Sequence, residues 1–220
     1  MAGRKLPVTT AATLIPAEGT WEEIHGAAKN CKACDLYKTG TQTVFGEGGS
    51  KARIVLVGEQ PGNEEDLTGR PFVGPAGKLL DQALEQAGID RSLAYVTNVV
   101  KHFKWEPRGK RRIHAKPNQG EIAACMPWLN AELALIQPDV VVCLGATAAQ
   151  ALLGRAFRVT KQRGEWLESP LAPHVMATIH PSAILRAEED RADQMRLFVS
   201  DLEKVAQVLK QESPKARRAG

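Results

Sequence analysis

Four short apolar runs rich in β-branched residues, at 53–57, 94–99, 139–144 and 174–179, each end at a polar or glycine-rich turn. Runs without alternation are apolar on both sides, as parallel strands covered by helices on both faces must be. Helical periodicity fills the gaps between them. Leu79, Leu80, Ala83, Leu84 and Ala87 keep one face from residue 76 onward, with Gly88 placed to cap the end, and Ile122, Cys125, Leu129, Leu133 and Ile136 form a second stripe that Pro138 stops. A short helix opens at Gly145 and runs to residue 153, and an amphipathic helix spans about 189–209. This alternation predicts an α/β fold of three layers, α/β/α, around a central four-stranded parallel sheet, with ligands at the carboxyl ends of the strands. One domain is expected over residues 19–209, between a flexible tail at 1–18 and a basic flexible tail at 210–220; no internal repeat or interdomain linker is visible.

At 220 residues, 43% apolar and 25% charged, the chain can bury one full core, which excludes a disordered or fibrous protein. Its longest nearly unbroken apolar run, 140–149, is about half of the ~20 residues a membrane helix needs, and the N-terminus has no secretory apolar core. A cytoplasmic monomer without a membrane partner is the expectation. Four cysteines, of which only Cys31 and Cys34 are close together, are too scattered for a disulfide framework and suit a metal site better. The net charge is +4, yet residues 101–116 alone hold seven Lys or Arg against one Glu, so the remaining 204 positions sum to −2. The basicity is a patch, and a patch of this kind suits a phosphate backbone.

The first strand runs into Gly58-Glu59-Gln60-Pro61-Gly62, followed by Gly69-Arg70-Pro71-Phe72 and Gly77-Lys78-Leu79. A phosphate-binding P-loop would need glycine where Phe72 stands and Ser or Thr where Leu79 stands, and no G-x-G-x-x-G follows the strand. Both nucleotide motifs fail. The second strand ends in Thr97-Asn98-Val99 and the fourth in Ile179-His180-Pro181-Ser182, with Leu185-Arg186 beyond. Together these strand ends resemble the uracil-DNA glycosylase superfamily over roughly residues 25–205, and the cysteines resemble its iron–sulfur branch. Gln60 in the first motif and the inserted basic loop Lys110-Arg111-Arg112-Ile113-His114 are similar to the UdgX type, whose members become covalently joined to DNA; uracil-containing DNA, single- or double-stranded, is the expected partner.

The resemblance implies roles that chemistry makes intelligible. A base must leave the duplex to be attacked, so the enzyme flips it into a pocket and reads its edge. Asn98 would read uracil, because an amide offers the donor and acceptor that O4 and N3–H require; Gly58, Gln60 and Phe72 would complete the base site, with Phe72 stacked on the ring. His180 would donate to uracil O2 as negative charge develops. Glu59 would sit beside C1′, where a carboxylate stabilises positive charge and orients the attacking group. His114 would be that group: a neutral imidazole is a competent nucleophile near pH 7 and a poor leaving group afterwards. Lys110, Arg111, Arg112, Ser182 and Arg186 would bind DNA. Water as the nucleophile, with turnover, is the alternative, as is a non-catalytic iron–sulfur DNA-binding module.

For the metal, Cys31, Cys34 and Cys125 supply three thiolates, and His102 stands where the iron–sulfur glycosylases carry their remaining cysteine. These four are the expected ligands of a [4Fe-4S] cluster. A zinc site with the same residues stays open. Cys143, inside the third strand, reads as an inert core thiol.

Overall fold

The computed structural model describes residues 10–211. After a 3-10 turn at Ala11–Leu14 come α1 (Trp21–Ala28), a second turn at Asp35–Lys38, β1 (Ile54–Gly58), α2 (Asn63–Thr68), α3 (Pro75–Gln86) and β2 (Ala94–Asn98). The chain continues through β3 (Trp105–Arg108), β4 (Arg111–His114), α4 (Gln119–Ile136), β5 (Val140–Leu144) and α5 (Ala146–Leu153). It ends with α6 (Val159–Gln162), β6 (Trp166–Leu167), β7 (His174–Thr178), α7 (Pro181–Leu185) and α8 (Arg191–Gln211).

Every residue of β1, β2 and β5 is buried, since helices cover both faces of the sheet. Alternate residues serve alternate cores. Val55, Val57, Val141, Cys143, Val175 and Ala177 join Trp128, Leu129 and Leu133 of α4 and Ala148 and Ala149 of α5. Ile54, Leu56, Val140, Val142, Leu144 and Met176 join Leu80 and Leu84 of α3 and Phe198, Leu202 and Val205 of α8. Each fully buried large aliphatic side chain contributes about 1.5–3 kcal/mol, which is what holds the layers together. Helix ends follow local chemistry. Gly88, at φ +71°, turns the chain after α3 while its N–H bonds to Glu85 O (3.0 Å) and that of Ile89 bonds to Leu84 O (2.9 Å), a Schellman closure.

The strand order is β2-β1-β5-β7-β6, the first four parallel and β6 antiparallel at the edge. The four-stranded parallel sheet is therefore present, extended by a two-residue strand too short to leave a pattern. From β1 the chain moves outward to β2, and from β5 it moves the other way to β7. The connections after β1 and β5 thus diverge and open a crevice at their carboxyl ends.

Two expectations need correction. The segment expected as a frayed tail docks from Ala11 onward: that residue is wholly buried in the core, and Ile15 packs against the same cluster, because the run Ala11–Leu14 is apolar enough to cover α4. At the other end α8 runs to Gln211; positions 1–9 and 212–220 lie outside the described residues. The basic segment is not a loop but a hairpin, β3 paired to β4 from Trp105↔His114 to Arg108↔Arg111, turned by Gly109 (φ +61°) and Lys110. No helix among the described residues is long and apolar enough to cross a membrane.

Candidate active site

β1 and β2 lie in register, so Gly58 stands opposite Asn98. A Cβ on Gly58 would come within 2.4 Å of Asn98 Oδ1 and 2.8 Å of Phe72 Cζ. The bare glycine is what lets the amide and the ring close over this spot. Asn98 is 3% exposed, so a base that meets it is read out of water, where a mismatched donor or acceptor is left unpaired. Phe72 holds a left-handed backbone, φ +56°, costly for an aromatic residue unless its surroundings impose it. They do: the Glu65 carboxylate accepts from Gly74 N (2.8 Å) and Gly62 N (3.0 Å), fixing the loop from both sides. A Cβ on Gly77 would lie 1.6 Å from Phe72 O, so only glycine fits there. The Phe72 and His180 rings stack at 6.2 Å and 26°.

Glu59 follows Gly58 into the crevice. Its Oε1 lies 3.3 Å from His114 Nε2, while its Oε2 accepts a hydrogen bond from the Thr147 hydroxyl. Thr147 belongs to the first turn of α5, directly beyond β5, so one carboxylate joins the two strands at the divergence point to the hairpin. Sequence reasoning missed Thr147, although it follows a strand end as the other site residues do. Gly145 (φ +89°) makes room here as well, since a Cβ on it would meet His180 Cβ at 2.9 Å.

His180 caps α7, its Nδ1 accepting from Ser182 N (3.1 Å) with Ser182 Oγ at 2.8 Å. A ring nitrogen that accepts a backbone N–H carries no proton, which leaves the proton of the neutral ring on Nε2. Desolvation, with Arg186 and His114 adding positive charge nearby, pushes the His180 pKa down to about 4. At neutral pH the side chain is therefore an uncharged N–H donor suited to a developing oxyanion.

Three of the expected site residues also make contacts within the protein. Gln60 is 7% exposed and its amide is occupied: Nε2 donates to Lys104 O and Ala115 O, each at 3.1 Å, and Oε1 accepts from Lys104 N at 3.2 Å. Its side chain clamps both roots of the hairpin. Arg112 donates to Asp66 Oδ2 (2.6 Å), Asn63 Oδ1 (2.8 Å) and Thr41 Oγ1 (3.3 Å) and lies 5.4 and 5.6 Å from the Phe103 and Trp105 ring centres. Asp66 is fully buried, so Arg112 neutralises it and straps the hairpin down, while Arg112 Nη2 is buried without a hydrogen-bond partner. Ser182 is bound to His180, which makes it first an orienting group for that ring. Lys110, Arg111 and Arg186 are exposed and free to face DNA. An isolated two-stranded hairpin is marginal in water, which is why these tethers matter for His114 at its end.

Among the described residues, no three or more His, Cys, Asp or Glu side chains are grouped so as to hold a metal ion, so the four expected ligands do not form a ready cage. Three of them are engaged otherwise. Cys31 Sγ accepts from Trp128 Nε1 (3.2 Å), Cys125 Sγ accepts from Lys101 N (3.2 Å), and His102 Nε2 lies 3.1 Å from Thr43 Oγ1. The donor chemistry nonetheless fits an iron–sulfur group: N–H bonds to sulfur favour thiolates. The three thiols are close enough for Cys31 and Cys34 to raise the Cys125 pKa, which burial drives to about 12. Cys143, also near 12 through burial, lies inside β5 with no described partner role, as an inert thiol would.

Residues 45–203 match the family model described as "Uracil DNA glycosylase superfamily". A Type-4 uracil-DNA glycosylase of Thermotoga maritima is 42% identical over 197 residues, covering 89% of this chain and 97% of that protein. One from Archaeoglobus fulgidus is 36% identical over 192 residues (84% and 91%), and a Type-5 uracil-DNA glycosylase of Thermus thermophilus is 31% identical over 194 (79% and 83%).

Proposed function

Because the chain belongs to the uracil DNA glycosylase superfamily, we propose that it excises uracil from DNA and that His114 then bonds C1′ of the deoxyribose. Glu59 Oε1 takes the Nε2 proton from the imidazolium form of His114, leaving the neutral ring with its remaining proton on Nδ1. The freed lone pair forms the bond to C1′ as the C1′–N1 electron pair leaves with uracil, and the charge gathering on O2 meets the Nε2–H of His180. Asn98 and Phe72 hold the flipped base, and Lys110, Arg111 and Arg186 meet phosphates of single- or double-stranded DNA. The observation that carries the reading is the 3.3 Å approach of Glu59 to His114 in the strand-end crevice, since a carboxylate there serves both the cationic sugar and the nucleophile.

The proposal includes a [4Fe-4S] cluster on Cys31, Cys34, Cys125 and His102. Bound there, it would cross-link the segment after α1, the segment after β2 and helix α4. N–H bonds to two of the sulfurs and the resemblance of the cysteines to the iron–sulfur branch support it. Iron and sulfide at about four each per chain are the expected analysis; stoichiometric zinc without iron would replace the cluster with a tetrahedral site.

Denaturing electrophoresis after mixing the protein with uracil- and thymine-containing oligonucleotides tests the reaction. A shifted band with uracil DNA alone is expected. Quantitative uracil release without a band would leave excision by water, and neither product would remove the enzymatic reading.

A further inference from the structure

The structure assigns Lys101 a positioning role at the uracil-reading end of β2, exercised through a buried ion pair with Glu132; this rests on the reading of Asn98 as the residue that recognises uracil. Both side chains are completely buried, Lys101 Nζ lying 2.6 Å from Glu132 Oε2. An ammonium has three N–H donors, and all three are spent: one on Glu132, one on Thr97 Oγ1 (2.5 Å) and one on the backbone oxygen of Asn98 (2.8 Å). Glu132, on α4, also accepts from Gly46 N (3.0 Å), Tyr95 OH (2.8 Å) and Thr97 Oγ1 (2.9 Å). Lys101 N donates to Cys125 Sγ on the same helix.

One residue therefore bolts the end of β2 to α4 at two points. The backbone around Asn98 is fixed from the opposite side by β1, with Val99 N on Gly58 O and Val100 N on Glu59 O, each 3.0 Å. A buried ion pair costs as much desolvation as it returns in attraction, so apolar residues would hold two elements together equally well. What the pair adds is direction. Three donors at fixed angles set the Asn98 carbonyl, hence the peptide from which the reading amide projects, and a network with every member satisfied tolerates one arrangement. A displacement of about 1 Å at a reacting group can cost about 100-fold in rate.

The test uses the full chain. Lys101→Met alone strands a buried carboxylate and is expected to lose the fold, so the informative variant is Lys101→Met with Glu132→Gln, which removes both charges. It is expected to melt cooperatively, keep the DNA concentration that half-saturates the single-turnover rate within about twofold, lose about 100-fold in the maximal single-turnover rate of uracil release, and be inhibited less by free uracil. Thr97→Val, which deletes only the bridging hydroxyl, should lose about tenfold in the maximal single-turnover rate of uracil release, and Thr97→Ser should restore it. If the paired variant does not fold, the Thr97 pair decides. A wild-type single-turnover rate and wild-type uracil inhibition in the folded paired variant, or in Thr97→Val, would overturn the inference. Asn98→Ala is the control for the underlying reading. If it excises uracil normally, the assignment of Asn98 fails; if it is inactive while the other variants behave as wild type, only the positioning role fails.

Discussion

Glu59 Oε1 and His114 Nε2 stand 3.3 Å apart although one follows a wholly buried central strand and the other ends a largely exposed hairpin. The two roles at C1′ are separable. Glu59→Gln keeps the shape but takes up no proton, and should slow adduct formation by about 100- to 10,000-fold. His114→Ser keeps Asn98, His180 and Glu59, so uracil release should continue over many turnovers, with water attacking and alkali-labile sites left in the DNA. A His114→Ser protein that neither crosslinks nor excises would show that His114 is needed for bond cleavage itself.

Thr147 controls which way the Glu59 carboxylate faces. With Oε2 held by the hydroxyl, Oε1 is left toward His114. A hydrogen bond to a charged group contributes about 1.5–3 kcal/mol, so Thr147→Val should slow single-turnover adduct formation by about 10- to 100-fold, while Thr147→Ser stays close to wild type. Equal rates for the two variants would mean that the carboxylate needs no such support.

Arg111 and Arg112 are neighbours with opposite duties. Arg111 is exposed, whereas Arg112 donates through Nε and Nη1 to Asp66, Asn63 and Thr41. Arg111→Ala should reduce the slope of log affinity against log salt by about one, the signature of one lost phosphate contact. Arg112→Ala should leave that slope unchanged and lower the crosslinking rate instead, because Asp66 is left buried without its cation and the hairpin loosens. Fluorescence titrations at several salt concentrations separate the two.

The same pair of arginines shows where reading the sequence stops. Apolar runs dictate buried parallel strands through their solvent-free faces, so the sheet, its flanking helices and the strand-end position of Glu59, Asn98 and His180 were legible from pattern and motif. The family resemblance made Arg112 a phosphate ligand and Gln60 a base reader. Their actual partners, Asp66 and the Lys104 and Ala115 carbonyls, are set by how the hairpin folds back, a tertiary fact without local periodicity. Thr147 and the Lys101–Glu132 pair were silent for the same reason: each acquires meaning only from a contact made across elements. The edge strand β6 has two residues, below the length at which any alternation registers.

His180 couples the site to acid stability. Its imidazole is held neutral down to about 4 in the folded chain, against about 6.5 in an unfolded one. Between those values the unfolded chain binds a proton that the folded chain refuses, so stability rises with pH there. The contribution is fully present above about 6.5 and is lost as the pH falls toward 4. Burial lowers His25 and His102 in the same direction, so the informative quantity is a difference between proteins. Denaturant midpoints measured at pH 7.5 and 4.5 should fall further for the wild type than for His180→Asn, which has no imidazole to protonate. At pH 7.5 the same variant should release uracil about 100- to 1,000-fold more slowly, the usual cost of removing one oxyanion donor. Equal acid losses in the two proteins would mean that His180 titrates normally in the folded state, and its role as a neutral donor would then be confined to pH values above about 6.5.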